Sequence, residues 1–278
     1  MGADGVKLLI MQEIRKRYRY SFILLRELVR TDFKIRYQNS ILGYVWSLLK
    51  PLLLFVILYL VFTKFLKVGN GVPYYPVYLL LGLLFWNFFI EVTTGSVQAI
   101  VGKGDLIRKI NFPKYVIILS VVSSALINFV LTSLVVVIFI ISEKVPVSWQ
   151  ALILIPLIFE LILIGLVAAF FLSAAYVRYR DISYIWDVII QATFYITPIL
   201  YPLTRIPPFY AKIMILNPLA QVIQDARYVL ITNSTETVGS LYGGDKWIWG
   251  IPIGLTLILL LLTSAYFRKH SKSFAEEA

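Results

Sequence analysis

Six long apolar runs divide this chain, and a soluble fold of its length has too little interior to bury them. A window of about 19 residues places them at 42–63, 77–97, 115–142, 151–177, 184–201 and 248–267. Each approaches the roughly 20 residues that carry a helix across a hydrocarbon core. A backbone in lipid must satisfy its own hydrogen bonds, so the runs are predicted as helices. Of the 278 residues, 59% are hydrophobic and only 15% charged. The fold class predicted is therefore an all-α integral membrane protein with six transmembrane helices.

The net charge of +11 would suit nucleic acid if Lys and Arg shared one soluble face, but they follow a membrane topology instead. Nine lie before residue 37, four between the second and third runs, two between the fourth and fifth, and three in the tail. The opposite connections hold two, one and four, the last spread over a long loop. Eighteen against seven predicts both termini on the cytoplasmic side. The basic leader lacks an apolar core, so no signal peptide is expected. There is no cysteine, which excludes disulfides and thiolate metal sites, and no metal site is predicted. The one histidine, His270, is expected to face solvent in a basic tail, 268–278.

Two pieces on the cytoplasmic side read as more than loops. In the first, segment 1–41, EIRKRYRYSFILLRELVRTDFKIRYQ (13–38) sets Phe22, Leu25, Val29 and Phe33 at helical spacing opposite a basic face. This is the pattern of an amphipathic interface helix lying in anionic headgroups, or of a topogenic basic flank. In the second, GKGDLIRKINFPKY (102–115), Asp105 can cap a short helix over 103–113 and Leu106, Ile107 and Ile110 form a small apolar face. A helix so short is marginal alone and is expected to dock onto something.

A third unusual piece follows the fifth run. FYITPILYPLTRIPPFYAKIMILNPLAQ (194–221) stays apolar through five prolines, at 198, 202, 207, 208 and 218. Proline removes a donor and interrupts a helix, and broken backbone at membrane depth is tolerated only beside protein or a water-filled cavity. Two short helices are predicted, at 208–216 and 218–230, within an outer gate segment 198–230 that dips into the outer leaflet; lying flat on the surface is the alternative. Pro198, Ile199, Tyr201, Pro202, Tyr210 and Ile213 are the candidate gate residues.

Catalytic signatures are missing: no G-x-x-x-x-G-K-[ST] phosphate loop, no H-E-x-x-H and no G-x-S-x-G. Asn233-Ser234-Thr235 fits a glycosylation sequon but reads better as a polar turn. Intramembrane charge is scarce and therefore informative. Glu91 and Glu160 fall inside the second and fourth runs, and Lys50 precedes Pro51 in the first, where it can also snorkel to the headgroups. For Glu160, a polar neighbour within the bundle and a transport role both remain open.

Four blocks, in order, carry a family resemblance: DFKIRYQNSILGYVWSLLKPLL (32–53), FWNFFIE (85–91), LIRKINFPK (106–114) and VRYRDISYIWDVIIQATFYITPILYP (177–202). They resemble the membrane (permease) subunit of ATP-binding-cassette polysaccharide exporters, of the O-antigen and teichoic-acid class. Lys50 departs from the neutral polar residue usual before that proline. The resemblance implies a homodimer in the bacterial cytoplasmic (inner) membrane, with two copies of a soluble ABC ATPase. The substrate implied is a polyprenyl-diphosphate-linked glycan, and ATP and Mg would be bound by the partner ATPase rather than this chain. No nucleic-acid partner is implied.

The same resemblance maps ATPase coupling onto Asp105, Leu106, Ile107, Arg108 and Ile110. Aromatic faces give sugars a slippery path, and among 18 Tyr and 18 Phe the path candidates are Tyr37, Tyr44, Phe85, Trp86, Phe89 and Tyr195. Arg36, Lys50 and Arg178 would meet the diphosphate near the inner boundary, with Glu91 beside the path; the arginines read equally as topogenic. With six spans and no phosphate loop, the chain is expected to be a transport subunit rather than an enzyme. The rivals are an ABC exporter of small hydrophobic molecules or lipids, and an integral-membrane enzyme acting on lipid-linked sugars.

Overall fold

The computed structural model describes residues 19–35, 43, 45–244 and 247–277. Among them all regular structure is helical. A helix over 19–35 (α1) precedes α2 (Val45–Tyr59), α3 (Tyr75–Val97), α4 (Gly104–Lys109), α5 (Tyr115–Ser142), α6 (Leu154–Arg178), α7 (Ile182–Ile196), α8 (Pro208–Ile215), α9 (Pro218–Leu230), α10 (Val238–Leu241), α11 (Gly250–His270) and α12 (Phe274–Glu277).

Five helices are long and apolar enough to cross a membrane: Val45–Phe65, Tyr75–Val97, Tyr115–Ser142, Trp149–Arg178 and Gly250–His270. The first includes a π-helical continuation of α2 over Leu60–Phe65. The run at 184–201 becomes α7, apolar but only 15 residues long, or about 22 Å by helical rise. It stops where proline dictates. Thr197 precedes Pro198 and is extended at φ −73°, ψ 134°, because the ring of the following proline crowds a helical conformation. The Tyr201 hydroxyl folds back to donate to the carbonyls of Tyr195 and Ile196 at 2.7 and 3.1 Å, capping orphan acceptors of α7.

α3 is the hub, with 78% of its apolar window buried, and it packs against α2, α5, α6, α7 and α9. The α2 window is 6% buried, so most of that helix faces whatever surrounds the chain. α6 lies along α11 and supports α9. The predicted pair of short helices is present as α8 and α9, each opened by a proline in its first turn, where the lost donor would be unpaired anyway. Asn217 caps α9 by accepting from the Leu219 amide at 3.0 Å.

The basic tail is not a solvated appendage. α11 runs through His270, whose ring is half-buried against Tyr266 at 4.3 Å between centroids. Phe274 of α12 is buried against Phe267, which stacks on Phe170 of α6. α12 thereby packs beside α4 and α6.

Candidate functional site

Chemistry-bearing side chains gather at three levels of the bundle. At one end α1, α4 and α12 form a platform. α1 turns Leu28 into the core with Leu24 and Leu25 half-buried, while Phe22, of the apolar face expected to meet the headgroups, is 68% exposed. Asp32 of α1 holds Lys103 at 3.1 and 3.3 Å, which ties α1 to the residue just before α4. The expected docking face of α4 divides. Ile107 is buried in this chain's own core, Leu106 and Ile110 are half-buried against it, and Asp105, Arg108 and Lys109 point outward. The surface α4 presents is therefore charged rather than apolar, because its short turn uses the apolar side to anchor itself.

Deeper, α2, α3 and α5 enclose a cavity of about 590 Å³, open on one side and walled in part by Lys50, Asn87, Glu91, Thr94, Asn128 and Thr132. Asn128 Nδ2 donates to Glu91 Oε1 at 2.6 Å, leaving the buried Asn128 Oδ1 without a partner. Lys50 and Glu91, two separate intramembrane charges in the sequence, thus share one hollow that offers an ammonium, a carboxylate and several hydroxyl and amide groups. Arg178 is not part of its wall; it is exposed, its guanidinium over the Tyr179 ring at 5.6 Å.

The path aromatics separate in the same way. Phe85 packs edge-on against Phe129 at 5.6 Å, and Trp86 lies between Phe89 and Phe194 at 5.9 and 5.5 Å. All three α3 aromatics are buried inside the chain and serve its packing, whereas Tyr195 is 69% exposed. Arg36, Tyr37 and Tyr44 lie outside the described residues.

At the opposite end, the fully buried Arg227 of α9 organises the proline-rich turn. Its Nε donates to the Tyr78 carbonyl at 3.1 Å, Nη1 to Pro198 O at 2.6 Å and Nη2 to Ile199 O at 2.7 Å. The guanidinium stacks 3.6 Å from the Tyr78 ring centroid, a cation–π contact that desolvation strengthens. Tyr75 adds a hydroxyl to Leu200 O at 2.8 Å. Of the expected gate residues, Pro198, Ile199 and Pro202 are therefore buried anchors of the turn and Tyr201 is a half-buried cap on α7. Tyr210 and Ile213 are the exposed ones.

Gly82 makes this clamp possible. A Cβ there would collide with Arg227 Nη2 and come 3.3 Å from Ile199 O. Gly82→Val should displace the guanidinium and destabilise the protein by about 1–3 kcal/mol, the usual range for overpacking. The thermal unfolding midpoint of purified protein checks this; an unchanged midpoint would mean the close approach is not needed.

Residues 6–231 fit the ABC-2 type transporter family. The chain belongs to that family. Among curated relatives, an "O-antigen export system permease protein RfbA" of Klebsiella pneumoniae is 32% identical over 258 residues, 92% of this chain and 95% of that protein. A second from the same organism is 31% identical over 261 residues, again 92% and 95%. One from Myxococcus xanthus with the same name is 27% identical over 265 residues, 95% and 98%.

In this ABC-2 family member, sequence reading missed Arg227 and Asn128. Arg227 was counted among dilute loop charges; the available signal was the spacing of Gln221, Gln224, Asp225 and Arg227 inside an otherwise apolar helix. Asn128 gave less warning, since one amide in a long apolar run has no fixed partner until the helices pack.

Proposed function

We propose that this chain is the permease subunit of an ABC exporter that moves a lipid-linked polysaccharide of O-antigen or teichoic-acid type across the cytoplasmic membrane. The observation that carries this reading is similarity along nearly the whole chain to permeases named for O-antigen export. In this reading α7 is the fifth of six spans, short because Pro198 ends it, and the termini are cytoplasmic as the basic residues require. Two copies would join two soluble ATPase subunits, which bind ATP and Mg, with the outward charges of α4 facing them. The apolar faces left open on α2 and α7 would meet lipid or the second copy. The Lys50 hollow would take the charged, hydroxyl-rich part of the cargo near the inner boundary, and α8 with Tyr210 and Ile213 would form the outer lip.

The test is reconstitution of the chain with its ATPase in vesicles loaded with defined polyprenyl-diphosphate glycans. ATP-dependent appearance of glycan on the far leaflet is expected, with Lys50→Gln raising the substrate concentration needed for half-maximal transport. Movement of small hydrophobic dyes but not of glycans would favour the small-molecule exporter and overturn the proposal.

A further inference from the structure

A buried acidic group between α6 and α9 has no part in the proposed transport path. Gln221 Nε2 donates to Asp225 Oδ2 at 2.6 Å, and the same carboxamide faces Glu160 of α6. Gln221 and Asp225 are each 1% exposed and Glu160 9%. Three oxygens of this group are buried without a partner: Glu160 Oε1, Asp225 Oδ1 and Gln221 Oε1. Among the described residues, one amide is thus the donor that both carboxyls share, and exchanging its oxygen and nitrogen leaves that count unchanged.

No cation answers the two acids among the described residues. On α9 itself, Arg227 is engaged with three carbonyls. On α3, Tyr78 lies under that guanidinium and Glu91 is held by Asn128. Lys212 of α8 sits over the Tyr242 ring, and Arg178 of α6 over Tyr179. Arg268, Lys269 and His270 of α11 belong to its last turn, at the platform end. Two buried like charges at one site do not both ionise readily.

We propose that Glu160, Gln221 and Asp225 form a proton-binding site in which one proton, taken up by the carboxyl pair and held against the Gln221 amide, closes the contact between α6 and α9. Taken from water onto a carboxylate oxygen, the proton creates an O–H that donates to Gln221 Oε1, so one donor satisfies an acceptor and removes a charge. Burial pushes Asp225 from 3.8 up to about 7, with Glu160 adding to the rise and the Gln221 hydrogen bond opposing it. A carboxyl raised in the fold keeps its proton where the unfolded chain has lost it. The α6–α9 contact is therefore strongest at low pH and weakens as pH rises through about 7. The site is independent of the cargo, so its test does not depend on what is exported.

The experiment uses the purified full chain in lipid nanodiscs, following infrared carbonyl absorption and thermal unfolding across this pH range. Below the transition, the wild type should show a protonated-carboxyl band that disappears as pH rises through about 7, and its unfolding midpoint should fall from the unfolded carboxyl value of 3.8 up to about 7 and level off above. Glu160→Gln and Asp225→Asn should each remove the band and flatten the pH dependence, which separates this site from His270. Absence of the band in wild type, or a pH dependence that persists in both variants, overturns the proposal. So does a midpoint raised by sodium at fixed pH in wild type alone, since the site would then hold a metal cation. If a variant does not fold, the wild-type band decides by itself.

Discussion

Arg227→Met should leave little folded protein. The side chain is fully buried, and its loss strands the carbonyls of Pro198 and Ile199. Each buried unsatisfied acceptor costs about 1–3 kcal/mol, and the lost stacking on Tyr78 adds to that. A loss of roughly 2–6 kcal/mol from the carbonyls alone compares with a typical total stability of about 5–15 kcal/mol. Size-exclusion yield and the unfolding midpoint in detergent measure it, with limited proteolysis at 198–208 locating the loosened turn. Arg227→Lys keeps the charge but cannot reach three carbonyls in one plane, so it should recover only part of the loss. Tyr78→Phe is the control: it removes only a hydroxyl that faces Gln224, so the ring and its contact with the guanidinium survive. A midpoint for Arg227→Met equal to wild type would show that water or another donor replaces the guanidinium.

Substitutions within α4 should divide into two kinds of defect. Ile107→Asp places a carboxylate in the core position of a side chain that is 3% exposed, and an uncompensated buried charge costs about 3–5 kcal/mol. This variant should lose folded yield whatever α4 touches. Arg108→Glu combined with Lys109→Glu changes only outward-facing charges, and should move stability by no more than about 0.5 kcal/mol. If α4 faces the ATPase, the double variant should keep normal yield and midpoint while ATP-driven transport falls more than tenfold, because two charge reversals at a contact turn attraction into repulsion. Normal transport with Glu at both positions would place the ATPase contact elsewhere.

The α4 result shows what patterning can and cannot resolve. Leu106, Ile107 and Ile110 were legible as one apolar face, but an apolar face is the same signal whether it meets a partner or its own chain. Only the packing of α12 and the core under Ile107 distinguishes the two. The aromatics of α3 repeat the lesson. Phe85, Trp86 and Phe89 suit a sugar path by chemistry, yet α3 is the buried hub and its rings are consumed by Phe129 and Phe194.

What the amino-acid order determined by itself is whatever depends on local chain physics. Apolar length made the helices, because lipid leaves the backbone no other hydrogen-bond partners. Prolines 198, 208 and 218 ended α7 and opened α8 and α9, because a fixed φ and a missing donor act within a turn. Family membership was legible because four blocks keep their order along the chain. The tertiary structure alone decided which charges meet. Lys50 and Glu91 lie 41 positions apart and share a hollow, Asp32 reaches Lys103, Glu160 meets Gln221 and Asp225, and Arg227 clamps carbonyls 28 and 29 positions away. These pairings have no periodic signature: a buried polar group takes its partner from whichever helix packs against it, and that choice is made by the shape of the whole bundle.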